Sequence, residues 1–176
     1  MVQCLTTNYI YTKLPTVKQS EVIDLLRPLS MTTEWVTVQI VGPDSILHPG
    51  DLALISARPT SYTFTIGGVT MHNLDDKATI AFKHGGELRC TRGTFLSSWV
   101  DDQDEEVSAG GIILTTKAKN AVEWAVVHAV GPECGFGVGD LVLLKYDGTA
   151  YPLEIDGVKM GNHGSEEVIA VRAVTV

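Results

Sequence analysis

The chain has 176 residues, enough for one ordinary domain or two small ones. Hydrophobic residues make up 44% and charged residues 19%, a balance that supports a packed core and excludes wholesale disorder. Thirteen Lys and Arg against 21 Asp and Glu leave a net charge of −8, and so acidic a surface argues against a nucleic-acid partner.

At the amino terminus, MVQCLTTNYIYTKLP lacks a basic stretch followed by an apolar one, so no signal peptide is expected. No apolar run approaches the roughly 18 to 20 residues needed to cross a bilayer. Ser20 to Arg27 is the one helix-like stretch, too short to carry a fold. Trp35 to Val41 alternates imperfectly and ends at Gly42-Pro43, and Leu52 to Ile55 follows the turn residues Pro49-Gly50-Asp51. KHGGE, Lys83 to Glu87, supplies a flexible turn and a boundary. Further on, Leu141 to Tyr146 ends at Asp147-Gly148, Tyr151 to Ile155 turns at Asp156-Gly157, and Val168 to Val171 closes the series. Short runs punctuated by Gly, Pro and Asp predict an all-β fold, a small barrel or sandwich.

The same elements occur twice. EWVTVQIVGPDSILHPGDLALI from Glu34 matches EWAVVHAVGPECGFGVGDLVLL from Glu123 at an offset of 89. The comparison runs without a gap from Glu34–Lys83 to Glu123–Arg172, with 19 of 50 positions identical. Upstream, Cys4 and Tyr9-Ile10 fall opposite Cys90 and Phe95-Leu96 at an offset of 86, so the second copy holds three extra residues between Tyr11 and Ile112. Two units are expected, residues 1–86 and 87–176, each near the lower limit for a self-sufficient core.

One segment stands apart. Ser108-Ala109-Gly110-Gly111-Ile112-Ile113-Leu114-Thr115 lies between the acidic run Asp101 to Glu106 and the polar run Thr116 to Asn120. The flanks favour solvent and the glycines add backbone entropy, so this makes a poor buried strand. Exposed aliphatics on a solvated loop suggest a partner that covers them, and the plain alternative is an edge strand with its turn. The acidic flank lacks the ligand spacing of a calcium loop.

The other motifs read blandly. Gly135 to Asp140 imitates a phosphate-binding glycine loop but leads into a strand, so it is a turn. His48, His72, His84, His128 and His163 show no zinc spacing, no Ser, His and Asp arrangement is recognisable, and neither a metal, a cofactor nor a catalytic residue is expected. Cys4, Cys90 and Cys134, odd in number and without CxxC spacing, fit a reducing compartment as buried or partly buried small hydrophobes. Trp35 and Trp124 occupy equivalent strand positions and are expected in the core.

SAGGIILT is similar to the mobile-loop motif of the GroES-type co-chaperonins, the chaperonin-10 family of ring-forming caps. Ala129-Val130-Gly131, Val138 to Leu143 and Glu166 to Val171 follow in family order, covering Leu88 to Ala173 and, through the repeat, nearly the whole chain. The resemblance implies two GroES-like β-barrels in tandem, as in the double-length chloroplast co-chaperonins. The roof hairpin would be short or absent, because only Pro43 to Pro49 and Pro132 to Val138 occupy its place, as in phage-encoded forms.

It also implies a cytoplasmic, homo-oligomeric ring without enzymatic activity, in the host cytoplasm if phage-encoded. The ring would cap a GroEL-type chaperonin that binds and hydrolyses the ATP. Ile112, Ile113 and Leu114 would enter a groove on that partner, with Gly110 and Gly111 permitting the bend. The first copy departs from the motif: Ile23 and Leu25 remain, followed by Leu26, but Asp24 sits at the centre and Glu21-Val22 replaces the glycine pair. That loop either binds less well or has become a packed segment. The other class of function open to the chain is a non-enzymatic phage structural or assembly β-domain whose loop docks a partner.

Overall fold

A computed structural model describes Cys4 and residues 6–13, 33–56, 62–99, 122–145 and 152–173. The described chain is all-β, in two antiparallel sheets, with two single-turn 3-10 segments and no α-helix among the described residues. It divides into two compact units, Met1–Arg92 and Gly93–Val176. The helix-like stretch from Ser20 to Arg27 lies outside the described residues.

The first unit runs β1 (Asn8–Lys13), β2 (Thr33–Val41), β3 (Leu52–Ser56), β4 (Tyr62–Ile66), β5 (Val69–Asp75), β6 (Thr79–His84) and β7 (Glu87–Arg89). Its sheet has the order β4-β5-β1-β2-β3-β6-β7. The second unit runs β8 (Thr94–Trp99), β9 (Val122–Val130), β10 (Leu141–Lys145), β11 (Pro152–Ile155), β12 (Val158–Gly164) and β13 (Val168–Arg172), in the order β11-β12-β8-β9-β10-β13. The orders coincide strand for strand, except that β7 has no counterpart among the described residues of the second sheet.

The registers coincide too. Tyr9 faces Val41 and Phe95 faces Val130, and both pairs of strands shift register one residue later, between Ile10 and Tyr11 and between Leu96 and Ser97. A second shift falls between Leu54 and Ile55 in β3 and between Leu143 and Leu144 in β10. A bulge is a local backbone feature fixed by its surroundings, so identical placement marks equivalent environments rather than a loose likeness.

Alternation sets the core. In β2, Val36 and Val38 are buried, and in β9 Ala125, Val127 and Ala129 take the inward positions. The first core gathers Tyr9, Tyr11, Val36, Val38, Leu47, Ile55 and Phe82; the second gathers Phe95, Ala125, Val127, Val142 and Leu144, with Phe136 edge-on to Phe95 at 5.0 Å. Burial pushes the Tyr9 phenol well above its ordinary range, so it stays protonated and bonds the Thr79 hydroxyl at 2.7 Å.

Trp35 and Trp124 are not core residues. Both are only partly buried, and a cation covers each ring: Lys83 Nζ lies 5.2 Å from Trp35 and the Arg172 guanidinium carbon 4.9 Å from Trp124. Each indole falls out of phase with the inward valines and alanines, and the basic neighbour supplies an attraction that a core position would forgo. Cys4, Cys90 and Cys134 are not joined in disulfides; Cys90 is buried, and partial burial raises the other two above the usual thiol range.

Candidate functional site

Gly110, Gly111, Ile112, Ile113 and Leu114, together with Ile23, Leu25 and Leu26, lie outside the described residues. What is described is the frame that carries them. Trp99 ends β8 opposite Ala125, and the chain re-enters the sheet at Val122 after 22 residues, 100–121. In the first unit the chain leaves β1 at Lys13 and returns at Thr33 after 19 residues, 14–32. The three-residue difference between the repeats therefore falls wholly within this one connection.

The two anchors differ. Lys13 Nζ donates to Glu34 Oε1 at 2.7 Å across the base of the first connection. At the position of Lys13 the second unit has Trp99, 38% exposed, edge-on to the buried His163 ring at 5.8 Å. That imidazole gives its Nδ1 to Glu167 Oε2 at 3.0 Å and stacks on Phe95. Both connections spring from the two central, antiparallel strands of their sheets, which is a rigid base for a long insertion.

The opposite ends of those strands are closed by matching turns. Gly42 N–H donates to the Asn8 carbonyl and Gly131 N–H to the Thr94 carbonyl, both at 2.8 Å. Gly50 and Gly139 adopt φ of +93° and +90°, a conformation side chains disfavour, and their N–H groups donate to the carbonyls of Val38 and Val127. Each turn is latched by an aspartate: Asp51 Oδ2 accepts the His48 N–H at 2.7 Å and Asp140 Oδ2 accepts the Gly137 N–H at 2.9 Å. Gly135 to Asp140 thus precedes strand β10 and offers no helix terminus to a phosphate.

The first turn carries more than its copy. His84 Nδ1 lies 2.8 Å from Asp51 Oδ1, His48 Nδ1 lies 3.8 Å from Asp51 Oδ2, and the two imidazole centres are 4.6 Å apart. No sequence spacing announces this group. His48 and His84 are brought together because β3 pairs with β6, setting Leu52 opposite Lys83 and so Asp51 beside His84.

Residues 99–171 match the family model described as Chaperonin 10 Kd subunit, Cpn10. The matched span opens at the last residue of β8, contains the whole of 100–121 and runs through β9 to β12 into β13. That family is one of non-enzymatic co-chaperonins, and the similarity to it falls within the second unit. The β-rich region before residue 99 has no family assignment, and no curated protein matches the chain. No helix among the described residues is long and apolar enough to cross a membrane.

Proposed function

We propose that the protein is a co-chaperonin built from two GroES-like β-barrel units. It would assemble into a homo-oligomeric ring and cap a GroEL-type chaperonin in the cytoplasm through residues 110–114. The observation that carries this reading is the Cpn10 match, which takes in the 100–121 connection and the strands β9 to β12 that follow it.

The energetics require many copies. Burying Ile112, Ile113 and Leu114 is worth roughly 1.5 to 3 kcal/mol each, while ordering the loop costs on the order of 1 to 2 kcal/mol per residue. One loop binds weakly; a ring of them makes later contacts intramolecular and gains affinity without new chemistry. A weak single contact also lets the cap leave when the partner's nucleotide state changes.

The sheets suggest how a ring closes. In the first unit β7 covers the outer edge of β6, pairing Phe82 with Arg89, Lys83 with Leu88 and His84 with Glu87, and Phe82 is buried. Among the described residues of the second sheet no further strand pairs with β13, where Ile169 is 56% and Val171 45% exposed. An apolar strand edge of this kind is a template for another strand. Val2 to Leu5 of a second chain, equivalent by the 86-residue offset to Leu88 to Thr91, would take that edge and join chains head to tail.

The test is co-migration with a purified GroEL-type chaperonin on a sizing column, with and without ATP. The wild-type chain is expected to co-migrate only with nucleotide, and Ile113→Asp, which sets a charge in an apolar groove, is expected to abolish it. A folded wild-type chain that fails to co-migrate under every nucleotide condition overturns the reading and favours a structural β-domain instead.

A further inference from the structure

We infer that His48, Asp51 and His84 form a binding site for one divalent zinc ion per chain, a site independent of the chaperonin-binding loop. The three side chains each present one ligand atom, and these atoms all lie within 4.8 Å of one another. Around a tetrahedral ion with bonds of about 2.0 to 2.2 Å, ligand atoms sit roughly 3.3 to 3.5 Å apart. His84 Nδ1 lies 2.8 Å from Asp51 Oδ1 and His48 Nδ1 3.8 Å from Oδ2, so each imidazole stands within about 0.7 Å of that spacing from one of the two carboxylate oxygens. Small rotations of two solvent-facing imidazoles suffice to close the difference, since the side chains of His48 and His84 are 64% and 42% exposed.

The carboxylate is already positioned. Asp51 is only 4% exposed, and the His48 N–H holds its Oδ2 at 2.7 Å, the kind of outer hydrogen bond that orients a metal ligand. The ion would enter from the solvent side, where the imidazoles stand, and water would fill its remaining position. Two imidazoles and a carboxylate without a thiolate suit zinc and its neighbours in the transition series better than calcium or magnesium, which prefer all-oxygen shells.

The second unit shows that the turn needs neither histidine. Asp140 latches its own turn through the Gly137 N–H, with Gly137 at the position of His48 and Ala173 at that of His84. The latch is common to both turns; the two imidazoles are additions to one of them, His48 from the turn itself and His84 from the end of β6, converging on the same carboxylate. A bound ion would fasten the turn after β2 to the end of β6, next to the Gly85-Gly86 hairpin that leads into β7.

Calorimetric titration of the chelator-treated full chain with zinc chloride at pH 7.5 tests this. One ion per chain is expected, with affinity falling at least about tenfold in His84→Ala and saturable binding lost in His48→Gly/His84→Ala, which installs the second unit's own residues. A Cys4→Ser/Cys90→Ser/Cys134→Ser variant is expected to bind as the wild type does. Should either multiple variant fail to fold, proton NMR of the wild type during the same titration decides: the ring resonances of two of the five histidines move together with saturation at one equivalent. No saturable binding, binding that survives loss of both histidines, binding that disappears with the cysteines, or no pairwise histidine shift would each overturn the assignment, leaving an ordinary His–Asp hydrogen bond.

Discussion

The first and second units lay equivalent strands in the same order and register, yet they stabilise equivalent points by different chemistry. Where Tyr9 bonds Thr79 in the first core, the second has Phe95 at the one position and Val168, packed against the same core, at the other, two apolar side chains with no hydrogen bond to satisfy. Where Asp76 is fully buried against Arg92, the second unit has Ser165. Where His48 and His84 flank Asp51, it has Gly137 and Ala173. The backbone tolerates either solution, so a buried polar pair in the first unit is a local choice rather than a requirement of the fold.

That contrast can be broken at two points. The larger effect is expected at Arg92, whose Nε and Nη2 lie 3.4 Å from the Asp76 carboxylate oxygens. Arg92→Ala removes the cation from a buried carboxylate that the Ile46 N–H also faces, and should cost about 3 kcal/mol in urea unfolding. Asp76→Ser/Arg92→Ala, which adopts the second unit's residue at the buried position, should recover most of that loss. A smaller effect is expected at Thr79. Thr79→Val strands the Tyr9 hydroxyl at a cost of about 1 to 2 kcal/mol, whereas Tyr9→Phe/Thr79→Val copies the Phe95–Val168 pair and should come close to wild type. A double variant no better than the single would mean the two cores are not interchangeable.

Much of the fold was legible because short apolar runs and Gly-Asp or Asp-Gly punctuation are local signals. The β3 and β10 strands begin directly after their Gly-Asp turns, and Asp156-Gly157 does turn β11 into β12. The internal repeat carried further than either copy alone, since the register shifts fall at equivalent residues. What escaped was set by pairing across the sheet. The cations over Trp35 and Trp124 come from the far strands β6 and β13, so nothing local shows that those indoles lie outside the core. His48 and His84 are 36 positions apart and meet only through the β3–β6 register, a distance no ligand-spacing rule covers. β7 is three residues long and owes its place to Gly85-Gly86, whose φ angles of +59° and +91° fold it back on β6. The segment proposed to bind a chaperonin was read for the opposite reason, from a motif contiguous in the sequence.

Hydrogen exchange on residues 108–116 tests the central claim most directly. In the free assembly these amides should exchange near the rate of an unstructured chain, and adding chaperonin with ATP should slow them markedly, with the sheets unchanged. Full protection before any partner is added, or no change when the partner and nucleotide are present, would contradict the account.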